Sequence, residues 1–203
     1  MQTEILIYDG FDELDAIGPF EVLSPMAPRL VTLEPVRSVT ASHGLELTPH
    51  GTLSEAPGLL VVPGGGWVAR NEDAGTYAEY RRGVIPAAIA ARHARGTVVA
   101  SVCTGALLLA AAGILDGRPA VTHHAALDDL RDLGIDVRAD ARWVDAGDVL
   151  TAGGVTSGID LADDLGQHQR VHLRHDRVDQ FVGLSDFEEL LDGCLGRRSR
   201  GRS

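Results

Sequence analysis

Apolar runs and the residues that break them divide the chain into alternating short strands and helices. Residues 4–8, Glu4-Ile5-Leu6-Ile7-Tyr8, form a run closed by Asp9-Gly10, which predicts a first strand buried on both faces. The following segment, residues 11–23, contains Gly18-Pro19 and predicts a helix, because proline fits the first turn. Asp15 is placed on the turn just ahead of that helix, with Leu14 and Ile17 pinning the turn to the core. Residues 30–36 predict a second strand. Residues 37–53 hold two β-prone pieces, Val39-Thr40-Ala41 and Leu45-Glu46-Leu47-Thr48, on either side of His43-Gly44. They predict a small β-hairpin appended to the sheet. Gly58-Leu59-Leu60-Val61-Val62 is a buried strand that runs into Pro63-Gly64-Gly65-Gly66-Trp67. Residues 71–95 predict a helix, with Val84, Ile85, Ala88, Ile89 and Ala91 at helical spacing.

The pattern then changes sharply within one stretch, residues 96–117. Thr97-Val98-Val99 opens a buried strand, which passes through Ala100-Ser101-Val102 to Cys103 and becomes a helix of leucines and small residues. A strand that turns into a helix with a nucleophile at the turn is the plan of a nucleophile elbow. The N–H groups that begin the helix are expected to favour a thiolate at Cys103. Thr104-Gly105-Ala106 are small enough for a substrate to approach the backbone. Beyond the elbow, residues 119–123 predict a short strand. Residues 125–133 predict an amphipathic helix with Leu127, Leu130 and Leu133 inward, ended by Gly134. Extended pieces follow around Ile135-Val137, Trp143-Val144 and Val149-Thr151. Gly153 to Asp160 is a second glycine-rich crossing from strand to helix.

Buried strands alternating with helices imply an α/β fold, a parallel sheet covered by helices on both faces. Ligands of such sheets bind outside the carboxyl ends of the strands. Asp15, Gly64 to Gly66, Cys103, His123 and Thr156 all follow such ends.

Composition narrows the chemistry. The 203 residues suit one core, and a hydrophobic share of 44% suits a globular chain with no span or leader, expected in the cytoplasm. The net charge of −11 argues against a nucleic-acid surface. Two cysteines, Cys103 and Cys194, make no disulfide framework. No C-x-x-C or H-E-x-x-H pattern marks a metal site, and the triple glycine lacks the Gly-Lys-Ser/Thr of a phosphate loop. The expectation is therefore neither metal nor cofactor. Each candidate residue has a bland alternative. Asp15 is a helix cap or surface carboxylate on its own evidence. His123 is either a third member orienting the site or a half-buried histidine satisfied by backbone, and His124 is exposed at a helix start.

Five segments carry a resemblance. LDAIGPFEVL, VVPGGG, ASVCTGALLLAAAGIL, VTHHAALDDL and WVDAGDVLTAGGVTSGIDLA, in this order, resemble the ThiJ/PfpI family of the class I glutamine amidotransferase-like superfamily. Among its branches the chain looks most like the isonitrile hydratases. The elbow reads Cys103-Thr104, where the family's proteases have Cys-His, and the first-turn acid is Asp15 where other branches carry Glu. The resemblance implies a flavodoxin-like fold, a homodimer and a small-molecule substrate. It also implies a Cys103 nucleophile beside an Asp15 carboxyl that moves protons, and an N-substituted formamide made through a thioimidate. Thr104, Gly65, Gly66, His123 and Thr156 are the expected substrate- or oxyanion-binding positions, with Thr104 also expected to place Asp15. Competing expectations are a glyoxalase, deglycase or peptidase using the same cysteine, and a non-catalytic redox or ligand sensor. The family-like catalytic domain is expected over residues 1–163. Residues 164–203 form a divergent segment in which His168, His172 and His175 share helical spacing; a solvated or irregular stretch is its bland reading.

Overall fold

The computed structural model describes residues 1–176. Every strand among the described residues belongs to the compact unit Met1–Gln167, and the unit from His168 onward enters the description only as the end of the last helix. In chain order the elements are β1 (Thr3–Leu6), α1 (Glu13–Val22), β2 (Arg29–Thr32), β3 (Val39–Thr40), β4 (Glu46–Leu47), β5 (Gly51–Thr52) and β6 (Leu59–Val62). There follow α2 (Thr76–Arg82), α3 (Val84–His93), β7 (Val98–Val102), α4 (Gly105–Ala111), β8 (Pro119–Ala120) and α5 (Leu127–Asp132). The last are β9 (Asp136–Val137), β10 (Trp143–Asp145), β11 (Val149–Ala152) and α6 (Val155–Asp176).

The main sheet has seven strands in the order β10-β11-β7-β6-β1-β2-β5. All its neighbours run parallel except β10 and β11, which Asp145-Ala146-Gly147-Asp148 joins as an antiparallel pair. Central strands β1 and β6 are buried along their whole length, as apolar runs without alternation require. On one side of the sheet α1 and α6 meet where Gly18 faces Ile159, and Gly158 abuts Val102. On the other, α2, α3 and α4 pack together, with α3 and α4 against β7. This is the expected helix-covered, flavodoxin-like sheet.

Local differences have local causes. The helix expected over 71–95 is two helices, because Gly83 takes φ +73 and ends α2 before α3 begins. The hairpin forms as β3–β4 in a two-stranded sheet of its own, docked by hydrogen bonds from Gly10 N–H to Thr40 O and from Thr40 N–H to Asp9 Oδ1, while β5 joins the edge of the main sheet. The strand expected over 119–123 shortens to β8, which pairs with β9 outside the main sheet. Leu130 is buried in α5, but Leu127 is only half-buried and Leu133 is exposed, because the helix ends at Asp132. Leu14, expected to anchor its turn, is 42% exposed, and Phe11 with Ala16 fills the core there instead. Helix α6 carries helical backbone through the stretch whose bland reading was irregular, as far as Asp176. Cys194 lies outside the described residues, as do the histidine side chains beyond Gln167.

Candidate active site

Three adjacent parallel strands, β1, β6 and β7, deliver their carboxyl ends side by side. The β1 end leads into α1 and Asp15, the β6 end into the glycine turn, and the β7 end into Cys103. Asp15 lies inside the first turn of α1 rather than ahead of it. Asp12 is the N-cap, its Oδ1 accepting from Leu14 N–H at 3.2 Å. That shift of one turn buries Asp15 completely.

Cys103 adopts φ +57, a left-handed conformation that costs a non-glycine residue about 1–3 kcal/mol. Its neighbours hold it there. Cys103 N–H donates to Ala152 O at 2.9 Å, and Thr122 Oγ1 donates to Cys103 O at 2.9 Å. The elbow also presses on the glycine turn. A Cβ on Gly105 would sit 2.3 Å from Val62 O, and one on Gly64 would sit 2.5 Å from Thr104 N. Only glycine allows that approach.

The electrostatics oppose one expectation. The Cys103 thiol is pushed well above its ordinary value, first by burial and then by the negative charge of Asp15, against a hydrogen bond from Thr104 N–H that lowers it. Burial and the neighbouring carboxyl thus oppose ionisation of the cysteine, against the short helix end that favours it. Burial, reinforced by the charge of Asp12, raises Asp15 to about 7, while Gly64 N–H and the Cys103 thiol lower it. The two groups therefore share one negative charge and titrate as a pair.

The carboxyl oxygens are not equivalent. Oδ2 accepts from Gly64 N–H at 3.1 Å, whereas Oδ1 is buried without a well-formed hydrogen bond. A buried orphan oxygen costs energy and points to a partner supplied in function.

The remaining expected residues divide. Thr104 joins the site through its backbone, while its hydroxyl accepts from Gly65 N–H at 3.0 Å and contacts Thr76 Oγ1 at 3.2 Å. Gly65 N–H is therefore engaged by Thr104 rather than open toward a ligand, and Gly66, at φ +71, turns the chain toward Gly75. His123 caps its own turn, its Nδ1 accepting from Ala125 N–H at 3.3 Å, and its ring lies 4.1 Å from that of His124. Burial and the charge of His124 lower its pKa, which keeps it neutral. Thr156 is exposed at the start of α6, facing Arg142 Nη2 at 3.5 Å.

Asp12, Tyr8, Thr76 and Thr122 are contributions that sequence reasoning missed. Tyr8 and Thr122 are the polar ends of apolar runs, which was the available signal; Thr76 left only a glycine ahead of a helix. A separate cluster of possible metal-ligand atoms, Asp12, Glu13 and His43, lies within 4.8 Å. The Glu13 oxygens there already accept from His43 N–H at 2.8 Å and pair with His43 Nδ1 at 2.7 Å, which binds the hairpin to α1.

Relatives share this architecture. An isonitrile hydratase of Pseudomonas putida is 36% identical over 171 residues, covering 82% of this chain and 71% of its own length. A deglycase of Pyrococcus abyssi (strain GE5 / Orsay) is 28% identical over 78% of this chain and 90% of its own. The crystal structure of a ThiJ/PfpI family protein from Pseudomonas syringae superposes with a TM-score of 0.70 at 27% identity, over 89% of this chain and 77% of that one. No helix among the described residues is long and apolar enough to cross a membrane. The DJ-1/PfpI family pattern matches residues 1–167, the same span that folds into the sheet and its elbow, and the chain belongs to that family.

Proposed function

We propose that this chain hydrates an isonitrile to an N-substituted formamide, with Cys103 as nucleophile and Asp15 as the proton carrier. The observation that carries the reading is the buried Asp15 carboxyl beside the Cys103 thiol, poised near neutrality with Oδ1 unsatisfied. The similarity to the Pseudomonas putida isonitrile hydratase supplies the substrate class.

The chemistry follows from the shared charge. Ionised Asp15 takes the thiol proton, and the sulfur attacks the terminal carbon of R–N≡C as the bond forms. Asp15 returns that proton to the same carbon, leaving the thioimidate R–N=CH–S–Cys103 and a carboxylate. The carboxylate then removes a proton from water as its oxygen adds to the thioimidate carbon, and the proton passes to nitrogen. The adduct R–NH–CH(OH)–S–Cys103 collapses by breaking the C–S bond. Its hydroxyl proton returns to sulfur through Asp15, which releases R–NH–CHO. One water is consumed and no redox change occurs. Thr104 N–H, already donating to the sulfur, steadies the charge at each passage through thiolate. The reading includes a homodimer, which sedimentation tests.

Quenching the protein during turnover and weighing it intact tests the covalent step. A mass gain equal to one isonitrile, located on Cys103 by peptide analysis, is the expected result. Formamide production without any adduct, together with full activity of Cys103→Ala, would overturn it. The relation to the Pyrococcus abyssi deglycase makes methylglyoxal the comparison substrate. Faster turnover of methylglyoxal than of any isonitrile would favour that second reading.

A further inference from the structure

Five buried groups outside the reacting pair form a hydrogen-bonded line whose direction is fixed by the carbonyl at its end. Tyr8 Oη lies 2.6 Å from Pro63 O, and a carbonyl only accepts, so the phenol proton is spent there. Thr76 Oγ1, 3.0 Å from Tyr8 Oη, must then be the donor to it. Thr104 Oγ1, 3.2 Å from Thr76 Oγ1, must in turn donate to Thr76. What Thr104 has left is an acceptor, and Gly65 N–H fills it at 3.0 Å. The Thr104 hydroxyl proton is thereby directed away from Asp15 and Cys103.

Thr76 grips the glycine turn twice. Its hydroxyl fixes Thr104 Oγ1 against Gly65 N–H, and its own backbone N–H donates to Gly65 O at 2.7 Å. The preceding residue, Gly64, is the donor to Asp15 Oδ2, and its carbonyl accepts from Asp12 N–H at 2.8 Å. The Gly64 N–H lies in the same peptide plane as Pro63 O, which Tyr8 Oη holds at 2.6 Å, and Thr76 fixes both Tyr8 and the next peptide unit, so the orientation of the Gly64 amide toward Asp15 is set by this pair.

We infer that Thr76 and Tyr8 are positioning residues for the Asp15 carboxyl, acting through the Pro63 carbonyl, the Thr104 hydroxyl and the Gly64–Gly65 turn. Neither touches the reacting sulfur. Thr76 and Tyr8 are 0% and 6% exposed, so no solvent group substitutes for a hydroxyl that is removed. The charged and titratable groups that act on Asp15 are Asp12 from its own turn and Cys103 from the elbow; the Gly64 amide, which stabilises the ionised form, is the one the line controls.

The test is the titration of Asp15, followed by carboxyl-carbon NMR in protein labelled at aspartate and assigned with Asp15→Asn. Thr76→Val removes the hydroxyl at constant shape. It loosens the Gly64 amide and is expected to raise the Asp15 midpoint by about one pH unit. Thr76→Ser, which keeps the hydroxyl, is expected to restore the wild-type midpoint, and Tyr8→Phe, which frees Pro63 O, to give an upward shift of comparable size. The inference is overturned if folded Thr76→Val and Tyr8→Phe both titrate as wild type, or if Thr76→Ser shifts as far as Thr76→Val. If Thr76→Val does not fold, Tyr8→Phe against wild type decides the matter. The readout needs no turnover, so its failure is distinct from a failure of isonitrile hydration.

Discussion

Gly64 N–H donates to Asp15 Oδ2 at 3.1 Å, and this single bond divides the labour of the carboxyl. One oxygen is held by the backbone, and the other is left to meet the thiol, water or substrate. The rate law follows from that division. In the proposed reaction ionised Asp15 is the base that opens the first step, and burial raises its pKa to about 7. The account predicts kcat/KM rising about tenfold per pH unit below neutrality and levelling off above it. A pH–rate profile from 5 to 9 checks this.

Asp12 sets where that limb falls. Its charge raises the Asp15 pKa, and asparagine keeps the N-cap hydrogen bond while removing the charge. Asp12→Asn is expected to move the acid limb down by several tenths of a pH unit with little loss of melting temperature. Profiles of the two proteins side by side measure the shift.

Stability carries the opposite sign to activity. The folded-state pKa of Asp15 is raised from 3.8 to about 7, so the native state holds a proton that the unfolded chain has released. The stabilisation from this group is full below about pH 4 and is lost as pH rises toward 7. Asp15→Asn carries no such charge and keeps an acceptor for Gly64 N–H. It is expected to be more stable than wild type above pH 7, by on the order of 4 kcal/mol, with the difference shrinking toward pH 4. Urea unfolding at both ends of that range measures it.

The close approach of turn and elbow is the most brittle part of the site. Gly105→Ala would place a Cβ 2.3 Å from Val62 O, against backbone rather than a movable side chain. A loss of about 3 kcal/mol is expected, together with lower activity as Cys103 shifts. Gly83→Ala offers a control, because its surroundings are open and its cost comes only from φ +73. Denaturation midpoints of the two variants make the comparison.

What could be read from the sequence follows physical range. The alternation of buried runs and breaks predicted the parallel sheet and placed Cys103 and Asp15 after carboxyl ends of its strands, because those signals are local and periodic. The thiolate expectation rests on helix-end electrostatics, a local argument, while the burial and the Asp15 charge that oppose it arise only when β1 and β7 come together across β6. Leu14 was misplaced because α1 begins about a turn earlier than Pro19 implied, which puts Leu14 on the helix surface and Pro19 in the helix interior. Thr76 carried no periodic signal at all. Its hydroxyl matters only because the fold sets α2 against the glycine turn.

The central claim is that Cys103 and Asp15 together add water to an isonitrile. Infrared spectroscopy of a reaction mixture tests it most directly, since the isonitrile stretch is isolated from protein bands. Wild type is expected to consume that band while a formamide band grows in equal amount. Cys103→Ala and Asp15→Asn are each expected to slow it by at least about 10³-fold. A band that persists with wild type across aliphatic and aromatic isonitriles, or that decays as fast with Cys103→Ala, would contradict the account.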